Sequence, residues 1–360
     1  MADHSDMNPY KKFLRRPFNP DRLPKEFWQD FDSWGDSSFQ ARGIAEVYRV
    51  WRDMTRENKA LIFLGYAGSL SSAGFWPGIA WLVKNRYIDI LVSTGANISE
   101  DIYEAMGMKY YKVDPWFPDD EDLLKHKMDR FYDHAADEYD YRKLEGLLAE
   151  FIREWNGKLK ERRVVSTAEF LYRLGVWLGK RNIWSILAVA AKAKMPVFCP
   201  ALVDSGYGEA YIRALHGIPR ADRRLIIEQF WDAEEIFEIA EWGRKRGYKK
   251  GAGYIGGGVP KDFTQLVSVS QALMEDNEEV FPFDYSFQIT ADSPQWGGLS
   301  GCGVMTEPIS WGKQGGGGRN AQVFMDATIA LHLILRAFKE SKLRRRSVPD
   351  LSWFFDRPTT

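Results

Sequence analysis

The sequence predicts an α/β protein with a doubly wound, mostly parallel sheet flanked by helices. Short apolar runs alternate with helix-length segments along most of the chain. Several of those runs open into loops of small residues, the positions where open parallel sheets bind ligands. The 360 residues are enough for one large α/β domain or two small ones.

Residues 1–40 are polar and punctuated by Pro17, Pro20 and Pro24. They read as an N-terminal arm with short helical turns, packed on another part of an assembly. A helix is expected across Phe39–Asn58, which lacks proline and has spaced apolar residues. Ala60–Leu64 is a buried strand ending at Gly65, and Ile88–Val92 is the next, with a helix from about Ser72 to Asn85 between them. That is one βαβ unit with glycines at both strand ends.

Residues 114–165 are charged and read as a helical insertion, with helices around Asp119–Asp133 and Tyr141–Trp155. Helices follow at Ala168–Gly179 and Ile183–Lys194, then a strand at Pro196–Cys199 and a short one at Leu225–Ile227. Asp232–Arg246 is an amphipathic helix. Strands are expected at Tyr254-Ile255, Tyr285–Ile289 and Val323–Met325, and a last helix from about Ala327 to Leu343. Gly315–Gly318 reads as a flexible loop, and Arg344-Arg345-Arg346 as a solvated helix end where positive charge suits the dipole. Residues 41–345 then form a single domain and 346–360 a tail.

Composition excludes several classes of partner. Lys and Arg number 49 against 50 Asp and Glu, a net charge of −1, which gives no electrostatic reason to expect nucleic acid or an anionic membrane. No apolar run approaches the roughly 20 residues of a membrane helix, and the N-terminus lacks the apolar core of a secretory signal. Cys199 and Cys302 are the only cysteines, so a reducing cytosol is the expected location. The 14 tryptophans favour a deep pocket or a large buried interface.

Chemistry concentrates in the small-residue loops 65–72, 93–97, 203–208, 256–259 and 297–303. Such loops expose backbone N–H groups and let a phosphate approach closely; singly, each reads more simply as an ordinary βα turn, and only together do they bring nucleotide binding level with it. The G-x-G-x-x-G spacing of a routine dehydrogenase is missing from the first of them. Ser310-Trp311-Gly312-Lys313 places a lysine beside a tryptophan. Taken alone it reads as a surface lysine after a turn. Desolvated, it supplies the neutral amine that imine chemistry needs. None of the five histidines has zinc-ligand spacing, so no metal is expected, and no nucleophile elbow with a placed histidine occurs.

Four separated blocks carry a resemblance. Gly65–Gly74 with Leu82–Asp101, Pro196–Gly208, Ile255–Lys261, and Glu307–Lys313 with Asp326-Ala327 resemble deoxyhypusine synthases in consistent order over about residues 60–338. The Ser-Trp-Gly-Lys block and the Pro200-Ala201-Leu202-x-Asp204 block are specific to that family and its homospermidine synthase relatives. The resemblance implies a Rossmann-like fold and an NAD-dependent aminobutyl transfer. Spermidine is oxidised, 1,3-diaminopropane leaves, and the four-carbon unit is held as an imine on a lysine before passing to an acceptor amine. Carried over by position, Lys313 is that lysine. Trp311 stacks along the substrate, and Glu307 holds a substrate ammonium. The NAD positions are Ser69, Ser72, Thr94, Gly95, Glu100, Asp204, Gly257, Gly258, Ser300 and Asp326. The resemblance also implies a homotetramer with active sites at a dimer interface.

Three departures stand out. Asp262 follows Lys261 where family synthases commonly carry His, and Glu209 replaces an Asp of the substrate pocket, so both are read as substrate-binding positions with altered chemistry. Trp296–Gly301 lacks the Asp residues usual in synthases that act on the translation factor. The lysine and the NAD loops are intact, so the redox half is expected to survive while substrate or acceptor differs. The acceptor is either the lysine of the hypusine-bearing translation initiation factor or a small amine such as putrescine, giving homospermidine. A non-catalytic NAD-binding assembly protein is the alternative from another class, and the joint presence of Lys313, Trp311 and Glu307 argues against it.

Overall fold

The computed structural model describes residues 26–116, 119–274 and 280–356; most of the expected N-terminal arm lies outside them. In chain order the elements are α1 (Phe27–Ser33), α2 (Phe39–Arg56), β1 (Ala60–Tyr66), α3 (Trp76–Lys84), β2 (Ile90–Ser93), α4 (Asn97–Ala105), β3 (Tyr110–Lys112), α5 (Asp120–Lys125), β4 (Met128–Phe131), β5 (His134–Asp137), α6 (Glu138–Lys158), β6 (Arg163–Val165) and α7 (Thr167–Lys180). The second half holds α8 (Ile186–Lys192), β7 (Val197–Phe198), α9 (Gly206–Leu215), β8 (Leu225–Ile227), α10 (Phe230–Lys245), β9 (Lys249–Ile255), α11 (Gly258–Met274), β10 (Phe283–Thr290), α12 (Glu307–Ser310), β11 (Gln314–Phe324) and α13 (Ala327–Ser341).

The main sheet has six strands in the order β11-β10-β9-β1-β2-β7, all neighbours parallel. The chain winds outward from β1 to β2 and β7, then returns beside β1 and winds the other way through β9, β10 and β11. The reversal falls between β1 and β9. In open parallel sheets the crevice outside the carboxyl ends of the strands at such a reversal is the ligand site.

Period-2 alternation explains why β1 sits at the centre. Ile62, Leu64 and Tyr66 belong to one core cluster, Leu61 and Phe63 to the other, and every residue of the strand is buried. The first core continues into α2, α3 and α13 through Trp51, Leu82 and Phe338. The second continues into α10 through Ile236 and Ile239. Residues near the C-terminus join it: Phe354 packs 6.0 Å from Phe198, and Trp353 stacks 5.9 Å from Trp242.

Local chemistry starts several helices. Ser166 accepts from Glu169 N at 3.0 Å to cap α7, inside a Ser-x-x-Glu sequence. Asp137 caps α6 through Tyr139 N at 2.7 Å, and Asp326 caps α13 through Thr328 N at 2.9 Å.

Three expectations are corrected. The helix expected over Asp119–Asp133 is only α5; β4 and β5 then form an antiparallel sheet with β3. Lys127 and Tyr132 take positive φ of 59° and 54°, which ends the helix and turns the hairpin. The tetraglycine is not a free loop. It lies inside β11 and forms the irregularity by which pairing steps from Phe283–Gln314 to Tyr285–Arg319.

Arg345 is not solvated. Its side chain is 1% exposed and pairs at 2.6 Å with Asp89, which is 0% exposed. Asp89 also accepts from Ile62 N at 2.9 Å, so the pair ties the segment after α13 to the start of β2 and the middle of β1. Sequence reads charge; only the fold shows that a buried carboxylate waits for it.

Candidate active site

The crevice at the reversal is a cleft of about 260 Å³. Ala67 and Gly68 follow β1, Thr94 and Gly95 follow β2, Pro200, Ala201 and Asp204 follow β7, Gly258 opens α11, and Ser300 lies in the loop after β10. Of the expected cofactor positions, Thr94, Gly95, Asp204, Gly258 and Ser300 line this one cleft.

Hydrogen bonds brace the loops that form its wall. Glu100, in the first turn of α4, accepts from Ser69 Oγ at 2.7 and 2.8 Å and from Ser72 N at 3.2 Å. Thr94 Oγ1 donates to Gly68 O at 2.8 Å, fastening the first loop to the second. Burial raises the Glu100 carboxyl above its ordinary range, and the bonds from Ser69 and Ser72 work against that rise. The expected positions Ser69, Ser72 and Glu100 therefore form one hydrogen-bonded unit.

Backbone proximity explains two glycines. A Cβ on Gly257 would lie 2.4 Å from Ser300 Cα, and one on Gly95 would lie 2.3 Å from Ser205 Oγ. Gly68 and Gly258 differ: a Cβ on either would meet no atom within 4 Å, and both line the cleft. The space beside them is open to a ligand, and α11, 17 residues long, points its N-terminus into it.

Sequence reasoning missed three supporting residues. Asn97 is fully buried; its Oδ1 accepts from Ser71 N at 3.1 Å and its Nδ2 donates to Ala67 O at 3.2 Å, bracing the first loop. An Asn closing a Gly-Ala-Asn turn ahead of a helix was the available signal. Asp232 accepts from Thr167 N at 2.9 Å and Thr167 Oγ1 at 2.7 Å, and Cys199 N donates to that hydroxyl at 2.9 Å. Gln229 Oε1 accepts from Leu202 N at 3.2 Å. The loop after β7 is thus held from α7 and α10, an arrangement no local spacing reveals.

The second patch centres on Lys313. Its side chain is 14% exposed, and Nζ donates to Asp262 Oδ1 at 2.6 Å. The ammonium lies 5.6 Å from the Trp311 ring centre, within cation–π range. Asp262 is one helical turn along α11 from Gly258, about 6 Å at 1.5 Å per residue. The patch and the cleft therefore share a helix. Glu307 opens α12 and takes a hydrogen bond from Thr306 Oγ1, which holds its carboxyl below the usual range.

The structure does not gather every expected residue. Trp311 is 69% exposed, so within one chain most of its ring faces water. The amine does not stand alone beside an indole; it is paired with the Asp262 carboxylate. Glu209 lies on α9 beside Glu145 of α6, and among the described residues no hydrogen bond or ion pair joins it to Lys313. Asp326 is exposed and acts as the cap of α13. Among the described residues no group of three or more His, Cys, Asp or Glu side chains is placed to hold a metal, and no helix is long and apolar enough to cross a membrane.

Comparison with known proteins identifies the family. The family model for deoxyhypusine synthase matches residues 31–338. The chain is 39% identical over 321 residues to "Probable deoxyhypusine synthase 2" of Methanosarcina mazei, covering 88% of each. It is 38% identical to the Archaeoglobus fulgidus protein of the same name, over 87% of this chain and 97% of the relative. A "Deoxyhypusine synthase-like protein" of Chlorobaculum parvum is 32% identical over 84% of this chain and 83% of its own length. In three dimensions the chain resembles a crystal structure assigned as a deoxyhypusine synthase from Entamoeba histolytica, with a TM-score of 0.58 and 14% identity over 92% of this chain and 98% of that one; this likeness concerns the fold. The chain belongs to the deoxyhypusine synthase family, a family of transferases.

Proposed function

We propose that this chain transfers an aminobutyl group from a spermidine-like polyamine, with Lys313 as the covalent carrier and NAD held in the cleft at the strand reversal. The observation that carries the reading is the shared helix: α11 presents Gly258 to the cleft and, one turn on, Asp262 to Lys313.

The residues fit the cofactor. Gly257 and Gly258 at the start of α11 offer backbone donors to a pyrophosphate, and Glu100 with Ser69 offers polar groups to ribose hydroxyls. Thr94, Asp204 and Ser300 line the remaining wall. NAD supplies a hydride acceptor that later gives the hydride back.

The chain's own residues do the rest. Asp262, 2.6 Å from the Lys313 ammonium, is the nearest base for its proton. The freed amine attacks the carbon of the oxidised donor's C=N bond, a bond forms to Nζ, and the C–N bond to the departing diamine breaks, that diamine leaving protonated. The four-carbon unit remains as an imine on Lys313. An acceptor amine then displaces Lys313 by the same exchange. Glu307 takes a substrate ammonium, and Trp311 lies along the aliphatic stretch.

The site is completed by a second copy of the chain in a homotetramer. Glu209 is separated from Lys313 within one chain, and an apolar rim of Val203, Val259, Trp296, Leu299, Met305 and Trp311 stands exposed on the cleft and Lys313 loops. A small amine is favoured as acceptor over a protein lysine, because Asp262 adds a carboxylate that a second ammonium can share.

Product analysis tests the reading. With NAD and spermidine the protein is expected to release diaminopropane, and borohydride is expected to fix a four-carbon adduct on the peptide carrying Lys313. Added putrescine is expected to yield homospermidine. No diaminopropane, or an adduct on another lysine, removes the proposal.

A further inference from the structure

Lys261 is fully buried, one residue before Asp262. Its ammonium donates to Leu299 O at 3.2 Å and to the carbonyl of Cys302. Gln288, also fully buried, donates from Nε2 to Ser300 O at 2.8 Å and to Gly256 O at 3.0 Å. Two buried side chains thus hold three carbonyls of the segment 299–302, and that segment lies against Gly257.

A buried ammonium is a costly way to fill space. Burial pulls Lys261 below the ordinary lysine range, and an apolar side chain of similar length would avoid that penalty. What an ammonium adds is several diverging donors, able to fix two carbonyls of an irregular loop at once. The loop it fixes carries Ser300 on the cleft wall. The next residue in the chain, Asp262, holds Lys313.

We propose that Lys261 is a positioning residue: its buried ammonium, together with Gln288, clamps the 299–302 segment over Gly257, setting Ser300 in the cleft while its chain neighbour Asp262 is held on Lys313. The consequence for cofactor binding rests on the proposed cleft; the clamp itself does not.

Lys261→Met in the full chain separates these. Amide hydrogen exchange of peptides spanning 296–304, measured without cofactor, is expected to accelerate by about tenfold or more, the scale of a lost charge-assisted hydrogen bond. The midpoint of thermal unfolding is expected to hold or rise, because methionine replaces a buried charge. The KM for NAD is expected to rise by a similar factor, with a smaller change in kcat. Unchanged exchange at 296–304, or faster exchange spread evenly over the core strands with a lowered midpoint, overturns the clamp. If the unsubstituted protein binds no NAD, the cofactor reading fails and the exchange measurement still decides the clamp. Should Lys261→Met not fold, Gln288→Met removes the other anchor and takes the same measurement, with the same two outcomes.

Discussion

The cleft at the strand reversal and the Lys313 patch lie one helical turn apart on α11, yet they are built in opposite ways. The cleft is finished within one chain. Glu100, Asn97 and Gln288 are buried, each makes at least two hydrogen bonds, and Gly257 and Gly95 leave room for no side chain. The patch rests on a single ion pair, with its indole 69% exposed and Glu209 elsewhere. A preorganised cleft suits a cofactor that ends each cycle as it began. An open patch suits a step whose walls arrive with substrate or with a second subunit.

The largest effect separates the two regions. Lys313→Arg keeps the charge beside Asp262 but cannot form an imine, because a guanidinium is effectively never deprotonated. Transfer is expected to fall by at least about a thousandfold, the scale seen when a covalent catalyst is removed, with NAD affinity unchanged. Steady-state assays and calorimetric titration check the pair of outcomes; a parallel loss of NAD affinity would show that patch and cleft are one unit. A second measurement asks whether the patch is completed in trans. Inactive Lys313→Arg and inactive Glu209→Gln chains, mixed under exchange conditions, are expected to regain up to about a quarter of wild-type activity, as random pairing predicts when one site in each mixed dimer is intact. No recovery, with exchange verified by mass, would mean that Glu209 serves the site of its own chain and not that of a partner.

The same contrast explains what the sequence disclosed. Short apolar runs and strand-end glycines announced the parallel sheet because those signals are local, and each expected strand forms; Leu225–Ile227, however, pairs with Arg163–Val165 in a separate two-stranded sheet. Thr94, Gly95, Asp204, Gly258 and Ser300 come to one cleft because each follows a strand at the carboxyl edge. The β4–β5 hairpin was hidden because its residues, Met128–Phe131 and His134–Asp137, are mostly charged or small and mimic a solvated helix. Asp232, Gln288 and Arg345 were hidden for another reason. Their partners lie between 12 and 285 positions away in the chain, and a buried polar side chain looks like a surface one until the fold encloses it.

Substitution inside the cleft ranks next. Gly257→Ala pushes a methyl against the Ser300 backbone, which cannot yield like a flexible side chain. Displacing that wall by about an ångström is expected to weaken NAD about 100-fold. Gly95→Ala meets the Ser205 side chain, its hydroxyl at 2.3 Å and its Cβ at 2.5 Å, rather than backbone, and is expected to cost less. Equal losses from both would mean that the wall, not its backbone, is what matters.

The smallest effect tests how the cleft wall is charged. Glu100 is raised by burial, so its carboxylate is neutralised at a higher pH than that of an exposed glutamate. Ribose hydroxyls donate to the ionised form and favour it, so binding is full above the pKa of the free protein and is lost as pH falls through it. NAD affinity is therefore expected to begin falling, on acidification, at a pH above the ordinary glutamate value of 4.5. Glu100→Gln keeps the shape and removes the titration. Its affinity is expected to be about tenfold weaker at neutral pH, the worth of one charge-assisted hydrogen bond, and flat across that acidic window. A variant that retains the wild-type pH profile would assign the titration to another group and reduce Glu100 to a support for Ser69 and Ser72.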